Sequence, residues 1–302
     1  EGFREAMQIE LDQLQSMQAW IVVPRQKAID MNKRVIDSVW AFKRKRYPDG
    51  MIKKLKARLC IRGDQQKEGV DYFDTYSPVV SWSTVRLLLI LSVMMELKTK
   101  QVDYTLAFVH APMKHTVFIE MPKGYELEGH VLELKRNLHG AKDVPMNFFN
   151  HLQDQLKLRG FKPCATDPGL FLNEETGCMI LVYVDDCIIL QKKGSTATDD
   201  LVRALQEGPE KFTFTNDGDL ERYLGVDVKR HKNGYLELTQ PHLIARFLEG
   251  IGMDDKVNPR PTPAVKPLLY KDLKGLPRKY EWNYCQAIGM LNYMSGTSRP
   301  DI

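Results

Sequence analysis

Hydrophobic positions along this chain switch between two spacings. From residue 3 to 18 they recur as on one side of a helix, with Phe3, Met7, Leu11 and Leu14 in line. Residues 35–62 alternate instead and predict two strands joined by a turn at Tyr47-Pro-Asp-Gly50. Residues 63–82 are polar and turn-rich around Ser77-Pro78, and Ser81 or Ser83 can cap a helix from Val85 to Leu97. "TKQVDYTLAFVHA" predicts an apolar strand turning at Ala111-Pro112; "TVFIEMP" predicts another, followed by "HVLELKRNL". Helical spacing returns over 145–160 through Phe148, Leu152, Leu156 and Leu158, with Gly160 as the stop. Gly169 to Leu190 reads as a strand pair, and 199–208 as a short helix closed by Gly208-Pro209. "YLGVDVKRHKNGYLELTQ" alternates on both sides of Asn233-Gly234, a strong hairpin signal. "PHLIARFLEGIGM" opens with Pro at a helix start. Pro259, Pro261, Pro263 and Pro267 mark an extended linker before a last helical stretch, "YCQAIGMLNYMSG". Strands joined partly by hairpins and partly by helices indicate an α+β fold.

Composition narrows the classes. The chain has 302 residues, 43% apolar and 27% charged, ordinary for a globular protein. No apolar run reaches the roughly 18 to 20 residues that span a bilayer. The N-terminal "EGFREAMQIELDQL" is charged and helical in pattern, which does not fit a signal peptide. The chain begins without Met and ends at "SRPDI", as an excised piece of a longer polypeptide would. Its five cysteines, Cys60, Cys164, Cys178, Cys187 and Cys285, form no Cys-x-x-Cys pair, so structural zinc is not expected. The odd count, and the apolar neighbours of Cys60 and Cys187, suggest reduced thiols in an intracellular protein. Net charge is only +4, yet residues 43–62 hold nine Lys or Arg against one acid. That stretch is either a solvated strand face or a surface that binds phosphates.

"LVYVDDCIIL", residues 181–190, sets two adjacent carboxylates inside an apolar run. Buried charges cost several kcal/mol unless they are paired or hold a metal. Asp185 and Asp186 are either ordinary turn residues at a hairpin tip or part of a cation site. Asp103, near the middle or end of another apolar strand, bears on that choice. If the two strands are neighbours in one sheet, three carboxylates come together in the hard-oxygen chemistry that suits Mg²⁺. Two such ions roughly 3.5 to 4 Å apart serve phosphoryl transfer in polymerases.

With its neighbours, this constellation resembles the reverse transcriptase of copia-type retrotransposon Pol polyproteins along nearly the whole chain. The matching blocks, in order, are "EAMQIELDQL", "VWAFKRKRYPDG", "KLKARLCIRGDQQKEGVDYFDTYSPVVSWSTVRLLL", "QVDYTLAFVHA", "VFIEMPKGY", "DPGLF", "LVYVDD", "YLGVDV", "LTQPHL" and "SRPDI". The resemblance implies a right-hand polymerase whose palm is a ferredoxin- or RRM-like antiparallel sheet with helices on one face. Fingers would span 1–85 and 113–148, and palm 86–112 and 149–235. Thumb and connection would span 236–302, leading toward an RNase H domain. It implies an RNA-directed DNA polymerase in which a primer 3′-OH attacks the α-phosphate of a dNTP and pyrophosphate leaves. Asp103, Asp185 and Asp186 would be the catalytic, metal-binding aspartates for two Mg²⁺, with Mn²⁺ a substitute. Lys56 and Arg58 would contact the triphosphate, where the Arg fork suits bidentate contact. Phe108 would lie beneath the incoming sugar and exclude a ribose 2′-OH; without the family it reads equally as a strand-core aromatic. Tyr183 and Val184 would lie under the primer terminus, and Leu224 and Gly225 would belong to the primer-gripping element. The implied partners are an RNA or DNA template with primer, dNTPs, and a second copy or the full Pol product in a dimer. No membrane partner is implied. RNase H and integrase would stand on the same polyprotein, which acts in cytoplasmic virus-like particles with a later nuclear stage.

One block departs from the family. Where its members show Leu-Tyr-Gly-Leu-Lys-Gln-x-Pro-Arg, this chain has "LHGAKDVPM", differing at His139, Ala141, Asp143 and Met146. Asp143 would place a carboxylate at the nucleotide-supporting position, a repulsion of roughly 1 to 4 kcal/mol at 4 Å. The alternative to a working polymerase is therefore a decayed, catalytically weak or silent nucleic-acid-binding remnant. A structural protein with an acidic hairpin tip leaves the basic stretch unexplained.

Overall fold

The computed structural model describes residues 2–47, 51–253, 274 and 281–302. Positions 48–50 of the expected turn and the proline-marked stretch from Pro259 to Pro267 lie outside the described residues. The N-terminal helical spacing folds as α1 (Gly2–Ser16), which turns Ala6, Glu10, Leu11 and Leu14 inward. After it come β1 (Trp20–Pro24), α2 (Arg25–Asp30) and β2 (Val35–Ile36), then the two alternating segments as β3 (Ser38–Arg46) and β4 (Ile52–Ile61). The apolar stretch behind Ser81 is α3 (Trp82–Met94), followed by β5 (Lys98–Tyr104), α4 (Ala107–His110), β6 (Phe118–Ile119) and β7 (His130–Leu134). Next are α5 (Val144–Lys157), β8 (Lys162–Pro163), β9 (Leu170–Asn173), β10 (Cys178–Tyr183) and β11 (Asp186–Gln191). The remainder is α6 (Ala197–Glu207), β12 (Phe214–Gly218), β13 (Arg222–Tyr223), β14 (Val226–Arg230), β15 (Leu236–Thr239), α7 (Pro241–Gly250) and α8 (Tyr284–Gly296). The α+β reading holds.

The elements form two compact units. The first comprises Glu1–Ser81 and Leu97–Gly218, the second Trp82–Glu96 and Asp219–Ile302. In the first, an antiparallel six-stranded sheet runs in the order β12-β5-β11-β10-β9-β8. Phe148, Leu152 and Leu156 of α5 and Leu201 and Leu205 of α6 form one core with Val102, Ile180, Val182 and Ile189 of the sheet. Each fully buried apolar side chain of this size contributes about 1.5–3 kcal/mol. A four-stranded sheet, β1-β7-β6-β2, anchors a second core in the same unit. Leu11 and Leu14 of α1 and Leu59 and Ile61 of β4 pack there with Ile119, Leu132 and Leu134. Outside that core, β3 and β4 continue as a two-stranded ribbon.

In the second unit, β13-β14-β15 form a three-stranded sheet. The Arg230 guanidinium of β14 donates to Ser92 Oγ of α3 at 3.0 Å. Asn283 caps α8, its side-chain oxygen accepting from Gln286 N at 3.0 Å. Buried Gln240, just before α7, accepts from Thr297 Oγ1 at 2.8 Å and Ser298 Oγ at 2.7 Å.

Several expected boundaries move. The strand expected across 99–111 ends at Tyr104, because Leu106 takes a left-handed φ of 52° and the chain then makes the helical turn α4. Residues 169–190 hold three strands rather than two. The Asn173 side chain accepts from Glu175 N and Thr176 N, closing a tight turn before β10. Of "TVFIEMP" only Phe118 and Ile119 pair as a strand. Leu158 is 78% exposed, so it belongs to the end of α5 and not to its buried face.

Candidate active site

The acid pair stands where β10 turns into β11. Tyr183 pairs with Asp186, leaving Val184 and Asp185 as a two-residue turn. Val184 has φ of 57°, a left-handed conformation that β-branched residues rarely adopt. Such outliers cost of order 1–3 kcal/mol and gather at functional sites. On the other side of β11 lies β5, antiparallel to it, with Asp103 directly opposite Asp186. Tyr104 N donates to the Asp185 carbonyl at 3.1 Å, tying the turn to the neighbouring strand. The three carboxylates thus stand at one end of one sheet. Cys187 registers them all: burial, and then Asp186, Asp185 and Asp103, push its thiol well above its usual range.

Asp103 and Asp185 border a cavity of about 290 Å³; Asp186 is not among its lining residues. The opposite wall is the basic ribbon. Lys54, Lys56 and Arg58 of β4 fall at every second position, on one face of the strand. All three line the cavity together with Lys45, which pairs directly with Lys54. Like charges opposed across a ladder destabilise it. Burial, with Arg58 and Lys45 nearby, holds the Lys56 ammonium below its ordinary pKa. Arg58 Nε is buried with no hydrogen-bond partner among the described residues. A wall of this kind is suited to an anion. Glu10 of α1 is its fixed counter-charge, buried at 4% exposure and accepting from Leu59 N at 3.4 Å. Burial raises its carboxyl pKa, against the pull of Leu59 N, Lys56 and Arg58.

Phe108 of α4 also lines this cavity, and it packs at the same time against the main core of the sheet. It meets His139 edge-on, with ring centroids 4.9 Å apart and planes at 66°. Burial, with Arg58 and Lys56 close by, pushes the His139 imidazole down to about 4. Lys56, Arg58, Phe108, Asp103 and Asp185 are therefore brought together. Asp143 is not. Its carboxylate is buried at the start of α5 and accepts from Asn147 Nδ2 at 2.9 Å. The expectation that it faces a nucleotide needs correcting. The polar cluster of Asn137, Asn147 and Asp143 draws it inward, Asn147 Nδ2 also donating to Asn137 Oδ1 at 3.1 Å. Tyr183 and Val184 are half-buried beside the acid pair. Leu224 and Gly225 lie in the second unit, at the turn into β14, both with positive φ, of 48° and 80°. There the Tyr293 hydroxyl donates to the Leu224 carbonyl.

Sequence reasoning missed Glu10 and gave His139 no role in the site. The i, i+2, i+4 run of Lys54, Lys56 and Arg58 was a usable signal for the basic face. Nothing in the helical spacing of α1 marks Glu10 as a cavity residue.

Three hard oxygen donors at one strand end match a divalent cation in chemistry. Among the described residues, however, no group of three His, Cys, Asp or Glu side chains stands in ligating geometry. The convergence expected of the three carboxylates on one ion is thus not present in this side-chain arrangement. Also among the described residues, no helix is long and apolar enough to cross a membrane.

The family model for reverse transcriptase (RNA-dependent DNA polymerase) matches residues 18–266. This chain belongs to that family. Within it, the chain is a reverse transcriptase domain of the copia-type retrotransposon Pol kind. It is 30% identical over 313 residues to the retrovirus-related Pol polyprotein from transposon TNT 1-94 of Nicotiana tabacum, covering 99% of this chain and 23% of that protein. To the Pol polyprotein from transposon RE1 of Arabidopsis thaliana it is 28% identical, covering 100% of this chain and 20% of that one. With the transposon Ty1-DR1 Gag-Pol polyprotein of Saccharomyces cerevisiae it shares 28% identity over 79% of this chain and 13% of the relative. The chain therefore spans less than a quarter of the length of these curated relatives.

Proposed function

We propose that this chain extends a primer on an RNA template by nucleotidyl transfer, the primer 3′-OH attacking the dNTP α-phosphate and pyrophosphate leaving. One observation carries the reading. Asp103 and Asp185 face, across one cavity, the basic side chains Lys56 and Arg58. Asp103, Asp185 and Asp186 are the residues that would hold two divalent cations, Mg²⁺ or Mn²⁺. When bound, these supply Lewis-acid activation of the attacking hydroxyl and neutralisation of the leaving group. The chain's own cations do the remaining electrostatic work. Lys56 and the Arg58 fork bind the triphosphate oxygens, and Phe108 faces the sugar. Phosphate binding there relieves the repulsion between Lys56 and its basic neighbours. Tyr183 and Val184 lie next to the reacting carboxylates and would support the primer terminus. Leu224 and Gly225 would grip the primer strand. In this reading the six-stranded sheet is the palm and the β3–β4 ribbon belongs to the fingers. The RNase H, integrase and particle context belong to the longer relatives and are carried over with the same proposal. The silent-remnant alternative rested chiefly on Asp143, which does not line the cavity.

The test is Mg²⁺-dependent dNTP incorporation on a primed RNA template by the folded chain. Extension should occur with wild type and fall by at least about 10³-fold in Asp185→Asn, as for loss of a transition-state electrostatic group. Equal extension by both proteins would exclude this site.

A further inference from the structure

We propose that His139 is a positioning residue for sugar selection: its imidazole braces Phe108 from one side, and so sets the room left for a 2′-hydroxyl in the cavity. This rests on the reading above, in which Phe108 faces the sugar of the incoming nucleotide. Phe108 meets two other rings. The first is Phe148 of α5, at 6.2 Å between centroids with planes at 72°. Phe148 is fully buried in the main core and fixed by it. The second is His139, closer at 4.9 Å, half-buried and itself lining the cavity. Removing His139 takes away one lining ring of the cavity and leaves Phe108 packed against Phe148. Phe108 would then lose that support, and the wall it presents to a 2′-hydroxyl would yield.

The backbone under His139 is built to hold it still. Ile61 N donates to the His139 carbonyl at 2.8 Å. Gly140 follows with φ of 95°, and a Cβ there would come within 2.3 Å of Ile61 O, so only glycine permits this approach. The loop is thereby pressed onto β4, the strand that carries Lys56 and Arg58. A brace fixed to the phosphate-binding strand gives the sugar wall and the phosphate wall one common reference. The ring also acts without charge: burial and the two cations leave it neutral at pH 7. Its contact with Phe108 is then an edge-to-face aromatic pair between uncharged rings.

The experiment measures equilibrium dissociation constants for ATP and dATP on the folded chain with a primed template ending in a dideoxy primer terminus. The ATP-to-dATP ratio is compared across wild type, Phe108→Ala, His139→Ala, His139→Phe and the double alanine variant. His139→Ala should narrow the ratio by about threefold or more, with ATP bound more tightly than by wild type, a gain that mere loss of structure does not produce. His139→Phe should restore the wild-type ratio, and the double variant should match Phe108→Ala alone. If Phe108→Ala narrows the ratio and His139→Ala does not, the brace is wrong while the sugar-facing role of Phe108 stands. If Phe108→Ala leaves the ratio at the wild-type value, that role falls and the brace with it. If wild type binds neither nucleotide, the nucleotide site itself is refuted. Should His139→Ala fail to fold by circular dichroism, His139→Leu takes its place, filling the volume without a ring. A wild-type ratio in His139→Leu overturns the proposal, and a narrowed one supports it.

Discussion

Asp143 turns its carboxylate into the protein, toward Asn147, within a cluster of three buried polar side chains. Asp143→Gln should therefore leave the KM for dNTP within about twofold of wild type, since no charge is removed from the cavity. Asp143→Ala should instead destabilise the fold by about 1–3 kcal/mol, because Asn147 Nδ2 loses a buried acceptor. Urea midpoints and dNTP titrations on both variants check the two expectations; a clear fall in KM for Asp143→Gln would return the residue to the nucleotide. The residue scale is where the sequence was least legible. Alignment to the family motif located Asp143 along the chain, but the direction of a side chain at a helix start depends on the polar groups already inside. Asp103, Lys56 and Arg58 were legible because each sits in a strand, and Asp185 because two apolar arms flank it as a hairpin tip. Period-2 alternation fixes the face of a strand residue once its neighbours are known.

The β10–β11 hairpin is the element that holds the chemistry, and its turn is built against local preference. A two-residue turn with positive φ at its first position favours Gly there, yet this one carries Val184. Val184→Gly should stabilise the hairpin by about 1 kcal/mol, by removing the Cβ clash of the left-handed conformation. The same change should lower primer extension, since Asp185 is the next residue and loses its rigid support. A raised urea midpoint with unchanged extension would show the strain to be idle. The hairpin itself was readable from two apolar arms around two acids. The break of β5 at Leu106 was not, because "TLAFVHA" continues an apolar pattern with no Gly or Pro to interrupt it. The short turn between β9 and β10, by contrast, is marked in the sequence by Glu174-Glu175-Thr176-Gly177, and reading 169–190 as a strand pair passed over it.

At the level of the whole molecule, one buried and one half-buried imidazole shape the response to acid. Burial pushes His110 and His139 down to about 4 from a usual 6.5. The unfolded chain takes up these protons at higher pH than the folded one does. Stability from both groups is thus fully present above pH 6.5 and is lost as the pH falls toward 4. The loss should be of order 1–3 kcal/mol per histidine at most. Denaturant midpoints at pH 7 and pH 5 measure it, and the difference should shrink in His110→Gln. A pH-independent midpoint would mean that neither ring is buried in the neutral form.

The discontinuity of the two units has a further consequence, for the ribosome. Helix α3 belongs to the second unit, whose remaining elements begin only at Asp219. Its inward residues Val85, Leu88 and Leu89 emerge from the exit tunnel long before their partners exist. Translation of the intervening Leu97–Gly218 segment at about 5–20 residues per second keeps that greasy face waiting for roughly 6–24 s. The first unit has its whole sequence by Gly218, while α3 must wait for the C-terminal segment before its own unit is complete.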